Sequence, residues 1–150
     1  NYKGGSSMGN YAKLIIESKT DNLGLARITA ASFAAQLDFT VSEIEELKVA
    51  ISEAVSNAII HGYQEKNDEI EISMELSHNQ LIIIVTDEGK GMKDPKQAFK
   101  ASYTTTDNRM GLGLTFIKSF MDKVEIDSKL DVGTKIKMIK SPEQIKRQIN

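Results

Sequence analysis

The sequence predicts an α+β protein, a two-layer sandwich with a mixed, mainly antiparallel sheet and helices on one face. Residues 69–76 alternate between polar and apolar side chains, which indicates a strand with one solvent-facing side. Residues 23–37 and 40–62 carry apolar side chains at helical spacing. Short turns join successive strands, and strands connected in this way usually pair antiparallel.

The chain begins with a strand and two helices. The first strand is predicted at residues 11–17. Asp21 or Asn22 can cap a helix that runs to about Leu37. We expect the apolar face of this helix to contain Leu25, Ile28, Ala31, Ser32 and Ala35.

A second helix is predicted from about Thr40 to Gly62, where glycine is a common helix end. Ser42 and Glu45 have the spacing of a capping box at its start. Its expected core face consists of Ile44, Leu47, Ile51, Ala54, Val55 and Ala58.

Strands are predicted near residues 70–76 and 81–86, with a turn at 77–80 between them. The second strand is the more apolar and is therefore expected to be the more buried. A long loop then spans residues 87–109, with a short helical piece near 97–100. A loop of about twenty residues in so small a domain is normally functional. A third helix at 111–123 and a hairpin of strands 124–128 and 135–140 complete the domain.

Length and composition indicate one domain and exclude several classes of function. The chain has 150 residues, a size typical of a single domain. We expect residues 1–9 to be a tag or disordered segment, 10–141 to form the domain and 142–150 to be a polar tail. With a net charge of −2, the chain lacks the broad positive field of non-specific nucleic-acid binders.

The absence of cysteine and the distribution of apolar residues exclude further classes of site and of protein. Cysteine is absent, which excludes disulfides, thiolate nucleophiles and zinc–sulfur sites. Only His61 and His78 are available for a histidine metal site. No apolar run has the length of a membrane helix, and no secretory segment opens the chain. We therefore expect a cytoplasmic protein without a membrane partner.

Glu53, Asn57 and His61 lie four residues apart on the second predicted helix. Steps of four residues drift by only about 40° around a helix, so these side chains share one side. An Asn amide oxygen can ligate magnesium, and a Glu carboxylate can act as a general base. A solvated helix face is the alternative, and it would be favoured for an isolated Glu and Asn pair.

Asp87, Gly89 and Gly91 follow directly after the strand that is expected to be most buried. Glycine permits positive φ angles and a close approach of a ligand to the backbone. A carboxylate at the end of a strand can accept a hydrogen bond from an exocyclic amine such as that of adenine. The same spacing is also typical of an ordinary turn, whereas a calcium loop is excluded because its spaced acidic ligands are missing.

Gly111 and Gly113 lie where the long loop enters the third predicted helix. Backbone N–H groups at a helix N-terminus form an anion site, and Arg109 adds a positive charge suited to phosphate. A flexible helix entry is the alternative. A P-loop pattern is absent, and no parallel strand–helix–strand unit surrounds the glycines, which argues against a dinucleotide fingerprint.

Taken together and in this order, these segments resemble four motifs of the GHKL-superfamily ATPases, which have the Bergerat ATP-binding fold. The matching segments are Glu53-x3-Asn57, Asp87-x-Gly89-x-Gly91, Gly111-x-Gly113-Leu114 and Gly133-Thr134. The resemblance covers about residues 10–140. It is strongest to bacterial anti-sigma factors that are also serine-protein kinases, and residues 52–63 and 120–122 are most similar to the sporulation members.

The resemblance implies ATP and Mg²⁺ as cofactors and gives each matching residue a role. Glu53 would activate the attacking hydroxyl, and Asn57 would ligate the magnesium ion. Asp87 would bind the adenine amino group, supported through water by Thr134. In phosphoryl transfer the protein mostly positions groups and offsets charge, so a base, a metal ligand and a cation are sufficient.

The resemblance also implies close backbone contact with the nucleotide at Gly89 and Gly91, and an ATP lid at residues 104–113. Within the lid, nucleotide contacts would come from Thr104, Thr105, Arg109, Gly111, Leu112 and Gly113. Arg109 would lie near the γ-phosphate. Thr106 stands where relatives tend to carry a lysine, and the lid is short, so one phosphate contact differs from the family pattern.

For function, the resemblance implies an ATP-dependent anti-sigma factor. It would bind and inhibit a sporulation-type sigma factor and phosphorylate a serine or threonine of a small anti-anti-sigma protein. It would also form a homodimer through the first strand and helix, where Arg27 and Phe33 are candidates to face the partner. An exposed Arg and a core Phe remain the favoured interpretation of those two residues, and no direct nucleic-acid partner is expected.

Two other functions share these motifs: the catalytic domain of a sensor histidine kinase and a non-catalytic ATP-gated binding module. Against the first, no helical hairpin with a phosphoacceptor histidine precedes Tyr11, and neither His61 nor His78 has the sequence context of one. Against the second, the presence of Glu53 favours catalysis.

Overall fold

The computed structural model describes residues 9–64, 67–96 and 108–149, and for 108–112 and 148–149 it describes the backbone alone. The strands and helices in these ranges are β1 (Asn10–Glu17), α1 (Leu23–Ala34), α2 (Val41–Asn57), β2 (Glu69–Ser77), β3 (Gln80–Asp87), α3 (Asn108–Phe120), β4 (Lys123–Lys129), β5 (Gly133–Lys140) and α4 (Glu143–Ile149). A 3₁₀ turn at Thr20–Asn22 precedes α1, and a π-helical turn at Ala58–Gly62 extends α2. None of the described helices is both long and apolar enough to cross a membrane.

The described strands form one sheet in the order β1-β2-β3-β5-β4, and every neighbouring pair is antiparallel. The sequence predicted a mixed sheet, but no parallel pair occurs between these strands. The reason is topological: β3 and β4 run in the same direction, and β5 lies between them, antiparallel to both.

The expected α+β sandwich is confirmed. Along β2, the side chains of Ile70, Ile72, Met74 and Leu76 are buried, while the alternate residues are exposed or half-buried. Helix α2 lies between α1 and α3, and the three helices share one hydrophobic core with that face of the sheet. The largest fully buried side chains are Leu47, Ile51, Val55, Ile70, Ile72, Met74, Leu81, Ile83, Val85, Leu114, Ile117 and Met138.

The predicted core face of α1 is wrong. Leu25 and Ile28 are 50% and 66% exposed, and the buried residues are Ala26, Ala30, Phe33 and Ala34. Both stripes have helical spacing, so periodicity alone does not choose between them. The alanine stripe faces the core because small side chains let α1 approach its neighbours closely. Phe33 is therefore a core residue, which confirms the favoured interpretation.

Helix α2 buries the predicted face from Leu47 to Ala58, but its start differs from the expectation. The capping box is formed by Thr40 and Glu43, not by Ser42 and Glu45. The Glu43 N–H donates to Thr40 Oγ1 at 3.1 Å, and the Thr40 N–H donates to Glu43 Oε1 at 2.8 Å. Thr40 has this role because it is the last residue with an extended backbone before the helix.

Helix α3 starts at Asn108, before the predicted start at Gly111, and ends at Phe120. The predicted helical piece near residues 97–100 lies outside the described residues. At the other end of the chain, the expected polar tail contains α4. The Glu143 N–H at the start of α4 donates to Glu43 Oε2 at 3.0 Å, which joins this helix to α2.

Candidate functional site

A cavity lies at one end of the sandwich, where the π-helical turn, the loop after β3, helix α3 and the start of β5 meet. Its lining residues are Asn57, Ile60, His61, Gly62, Gln64, Asp87, Lys90, Gly91, Met92, Leu114, Thr134 and Ile136. Asp87 and Thr134 are register partners on β3 and β5, so the sheet itself places them side by side. A concave site with apolar walls and a few convergent polar groups is typical of a small-molecule pocket.

Asp87 is the buried acid of this cavity, with 7% of its surface exposed. Burial raises the pKa of its carboxyl from 3.8 to about 6, although backbone N–H groups of Gly89 and Thr134 lower it in part by hydrogen bonding. The Gly89 bond to Oδ1 is 2.9 Å long. Gly62 makes room for the carboxylate, because a Cβ there would lie 2.7 Å from Oδ1. At neutral pH, Asp87 is therefore a desolvated, ionised acceptor facing the cavity.

Backbone hydrogen bonds connect the loop that follows Asp87 to neighbouring segments of the chain. The Lys90 N–H donates to the Gly62 carbonyl at 2.7 Å, and the Asp131 N–H donates to the Lys90 carbonyl at 2.6 Å. Gly91 has φ +69°, and any side chain on it would collide with the Lys129 carbonyl. Gly89 packs so closely on Gly62 that a side chain there would collide with the Gly62 backbone.

Asn57 and Glu53 lie on α2 next to Gly113 of α3. A Cβ on Gly113 would lie 2.9 Å from Glu53 Oε2 and 3.6 Å from Asn57 Oδ1. The predicted clustering of Glu53 and Asn57 on one side of the helix is thus confirmed. Asn57 is buried, and within the described residues its Nδ2 is a buried side-chain atom without a hydrogen-bond partner. A buried amide that has no partner among these residues is able to donate to a bound ligand or water.

These residues fit a magnesium ion that is bound together with a nucleotide. The described residues contain no group of three or more His, Asp or Glu that could hold a metal by themselves. Magnesium commonly takes one or two protein ligands, and substrate phosphates and water complete its shell. The Asn57 amide has an oxygen for such an ion, and its unpaired Nδ2 can donate to a phosphate oxygen.

The structure brings most of the predicted site residues together. Asn57, His61, Asp87, Gly91 and Thr134 line one cavity, although they lie far apart in sequence. Gly89 is in the loop beside it. Glu53 and Gly113 do not line the cavity, but they lie next to each other close to Asn57, which does.

The predicted lid is only partly described. Thr104, Thr105 and Thr106 lie outside the described residues, and for Arg109, Gly111 and Leu112 only the helical backbone is described. Because α3 begins at Asn108, Gly111 and Gly113 lie inside the helix. The expectation that they form its N-terminus is wrong, since the helix extends into the loop.

Two residues near the cavity were missed by sequence reasoning. Tyr63 follows the π-helical turn and is buried beneath the loop after β3, and nothing in the sequence singled it out. Ser128 is a polar residue on the inward side of β4, in step with Val124 and Ile126. That break in the apolar pattern was a usable signal.

The chain is similar to histidine kinase-like ATPase domains, a family that matches residues 16–140. It is 44% identical over 133 residues to the anti-sigma F factor of Thermoanaerobacter sp. (strain X514), covering 87% of this chain and 93% of the relative. With the anti-sigma F factor of Clostridium novyi it shares 41% identity over 140 residues, covering 91% and 98%.

Solved structures show the same fold at low sequence identity. The RsbU and RsbW domains of a Mycobacterium tuberculosis protein match with a TM-score of 0.61 and 16% identity, covering 88% of this chain and 32% of the other. The histidine kinase domain of a blue-light activated kinase from Erythrobacter litoralis matches with a TM-score of 0.53 and 14% identity, covering 87% and 64%. The chain belongs to the histidine kinase-like ATPase family and, within it, to the anti-sigma F factors.

Proposed function

We propose that this protein is an ATP-dependent anti-sigma factor and serine/threonine-protein kinase acting in the cytoplasm. It binds and inhibits a sporulation-type sigma factor and phosphorylates a small anti-anti-sigma protein. The observation that carries the proposal is the meeting of two chemically different groups in one cavity. The desolvated carboxylate of Asp87 lines this cavity together with the amide of Asn57, whose Nδ2 has no hydrogen-bond partner in the part of the chain that the structure describes.

Asp87 binds the adenine base in this proposal. Its carboxylate accepts a hydrogen bond from the exocyclic amino group, and its burial strengthens that bond by excluding water. Thr134 lies beside Asp87 across the sheet and supports the same edge of the base, through water. Met92 and Ile136 supply apolar walls for the ring.

Asn57 holds Mg²⁺, and Glu53 is the general base. When bound, Mg²⁺ neutralises charge that develops on the transferred phosphoryl group. The Glu53 carboxylate accepts the proton of the attacking serine or threonine hydroxyl as that oxygen bonds to phosphorus. Gly113 leaves the space that this carboxylate occupies.

The phosphate side of the site belongs to the lid. We assign Arg109 to the γ-phosphate and Thr104, Thr105, Gly111, Leu112 and Gly113 to further nucleotide contacts, by resemblance to the GHKL motifs. Homodimer formation is part of the same proposal. We assign the partner contact to Arg27, which is half-buried and donates to Ser52 Oγ at 3.0 Å. Phe33 is buried in the core and is not part of that surface.

The test uses γ-labelled ATP, Mg²⁺ and the purified protein with its anti-anti-sigma substrate. We expect an acid-stable, base-labile label on the substrate, which identifies phosphoserine or phosphothreonine. Glu53→Ala should abolish labelling and leave ATP affinity unchanged, since Glu53 lies at the phosphate end. The matched control is Glu45→Ala, an exposed glutamate on the same helix that pairs with Lys48.

Other outcomes identify the other functions. An acid-labile label would indicate phosphohistidine and a histidine kinase. ATP binding without any label would indicate an ATP-gated binding module. For the anti-sigma activity, capture of purified sigma factor should depend on ATP, and capture that is equal with and without nucleotide would contradict the proposal.

A further inference from the structure

Side-chain hydroxyls hold both ends of the loop from Asp87 to Met92. At the first end, the Glu88 N–H donates to the phenol oxygen of Tyr63 at 2.7 Å. At the other end, the Met92 N–H donates to Ser128 Oγ at 2.8 Å. Neither Tyr63 nor Ser128 belongs to the sequence motifs of the site. Tyr63 follows the π-helical turn, and Ser128 lies on β4.

Tyr63 connects this loop to strand β2. Only 7% of its surface is exposed, and its O–H donates to the Glu69 carbonyl at 2.6 Å. The phenol therefore accepts from one backbone segment and donates to another, which fixes the peptide next to Asp87. Burial raises the pKa of Tyr63, so the hydroxyl keeps its proton at neutral pH.

Ser128 connects the loop to Thr134. Its Oγ donates to the Gly133 carbonyl at 3.1 Å and lies 2.8 Å from Thr134 Oγ1. A serine hydroxyl has a single proton, and here the Gly133 carbonyl accepts it. We assign Thr134 as the donor of the short contact, because this direction lets the Ser128 hydroxyl bond to both partners. Thr134 is left with lone pairs alone to present to the cavity.

We propose that Tyr63 and Ser128 are positioning residues of the nucleotide site: they fix the loop, and Ser128 makes Thr134 an acceptor that selects adenine over guanine. This inference rests on the proposed binding of ATP in the cavity. With Asp87 ionised and Thr134 as an acceptor, both groups at that edge of the pocket accept hydrogen bonds. The edge therefore matches a ligand that donates a hydrogen bond there.

The two purines differ at this point. Adenine carries an amino group, a donor, where guanine carries a carbonyl oxygen, an acceptor. A guanine oxygen would face the ionised Asp87 carboxylate without a proton between them, and the water on Thr134 would already donate one proton to that hydroxyl. Selectivity then depends on repulsion of the wrong base as well as on attraction of the right one. Without Ser128, the Thr134 proton is free to turn toward the cavity and relieve this repulsion.

The experiment measures dissociation constants for ATP and GTP by calorimetry, with Mg²⁺, in three variants. Ser128→Ala should lower the ATP-to-GTP affinity ratio about fivefold, as expected for one hydrogen bond. Ser128→Thr keeps the hydroxyl and should restore the wild-type ratio. Tyr63→Phe should weaken ATP binding about fivefold, and in phosphotransfer it should raise KM for ATP with kcat unchanged.

Matched controls remove the same groups elsewhere. Tyr11→Phe and Ser119→Ala delete exposed hydroxyls on β1 and α3 and should leave both constants at their wild-type values. Thermal unfolding without nucleotide, measured on all variants, separates stability from binding. Because Tyr63→Phe keeps the buried ring, it still tests the proposal if Ser128→Ala does not fold.

A lower unfolding temperature with unchanged ATP affinity and base selectivity would overturn the inference, because both hydroxyls would then be structural only. In that case wild-type preference for ATP would leave the proposed function intact. Equal binding of ATP and GTP by the wild-type protein would instead overturn the adenine assignment of Asp87, and this inference with it.

Discussion

Asp87 shows at the residue scale how ligand binding and stability compete in this site. Its pKa rises from 3.8 to about 6 on folding, so the folded protein holds the proton more tightly than the unfolded chain. The stabilising contribution is fully present below about pH 4 and is lost as the pH rises through 6. At neutral pH the ionised carboxylate destabilises the fold by roughly 3 kcal/mol. Such a cost is typical of a group retained for binding.

Asp87→Asn should remove this titration. We expect the free energy of unfolding of the variant, relative to wild type, to become more favourable by roughly 1 kcal/mol between pH 5 and pH 7. Urea denaturation at both pH values measures it, with Asp38→Asn on the surface as the control. ATP affinity at pH 7 should fall about 10-fold to 100-fold, through the loss of a charged hydrogen bond. A stability difference that does not vary with pH would contradict the raised pKa.

Gly113 gives a second prediction at this scale. Gly113→Ala would place a methyl group 2.9 Å from Glu53 Oε2, and the flexible carboxylate would have to move. We expect phosphotransfer to fall at least tenfold, as for displacement of a general base. Stability should hold or improve, because alanine is favoured over glycine by about 1 kcal/mol inside a helix.

The control for this variant is Gly24→Ala in α1. A Cβ there would meet its nearest atom, Arg27 Nη2, at 3.7 Å, an ordinary contact. Both variants add a methyl group to a helical glycine, but only Gly113→Ala places that methyl group against Glu53. Unchanged phosphotransfer in Gly113→Ala would remove Glu53 from the role of general base.

At the scale of elements, two buried charged side chains cap helix ends by hydrogen bonding to backbone groups there. The Glu43 carboxylate accepts backbone N–H groups at the starts of both α2 and α4. Lys140, also buried, donates to the Phe120 carbonyl at the end of α3 and pairs with Glu46. Each charge meets the helix end whose dipole it complements, which offsets the cost of burying it.

The observed capping box can be tested against the predicted one. Thr40→Ala should lower the free energy of unfolding by about 1 kcal/mol, because the Glu43 N–H loses its acceptor. Ser42→Ala should change it by less than about 0.5 kcal/mol, since Ser42 is exposed within the first turn. Urea denaturation distinguishes the two, and a larger effect at Ser42 would contradict the structure.

At the scale of the whole molecule, the cavity joins elements that are remote in sequence, so a bound ligand links them. Asn57 lies at the end of α2, Asp87 at the end of β3 and Thr134 at the start of β5. A ligand that contacts all three binds the folded protein and not the unfolded chain, in which these groups are apart. Binding must therefore raise global stability.

We expect Mg²⁺ and ATP at 100 times the dissociation constant to stabilise wild type by about 2.7 kcal/mol. At the same ATP concentration, Asp87→Asn should gain only about 0.4 to 1.4 kcal/mol, because the stabilisation follows the logarithm of the ratio of ATP concentration to dissociation constant. Thermal unfolding with ATP, with GTP and without nucleotide measures this. Equal stabilisation by GTP would contradict adenine recognition.

The sequence by itself determined the fold class, the order of elements and most of the candidate site. Alternation in β2 identified its buried face, because a strand has only two faces and the charged residues occupied one. Glu53 and Asn57 were found because a spacing of four residues places both on one side of a predicted helix. Asp87 was found because it directly follows a predicted buried strand.

Tertiary structure alone decided features that depend on contacts remote in sequence. Close packing of alanines against the core decided which face of α1 is buried. Helix α3 starts at Asn108, three residues before the start that the sequence predicts. Tyr63 and Ser128 bind the loop after β3 through partners 25 and 36 residues away. Local propensity and periodicity act over a few neighbouring residues, whereas these contacts exist only after the sheet and helices have packed together.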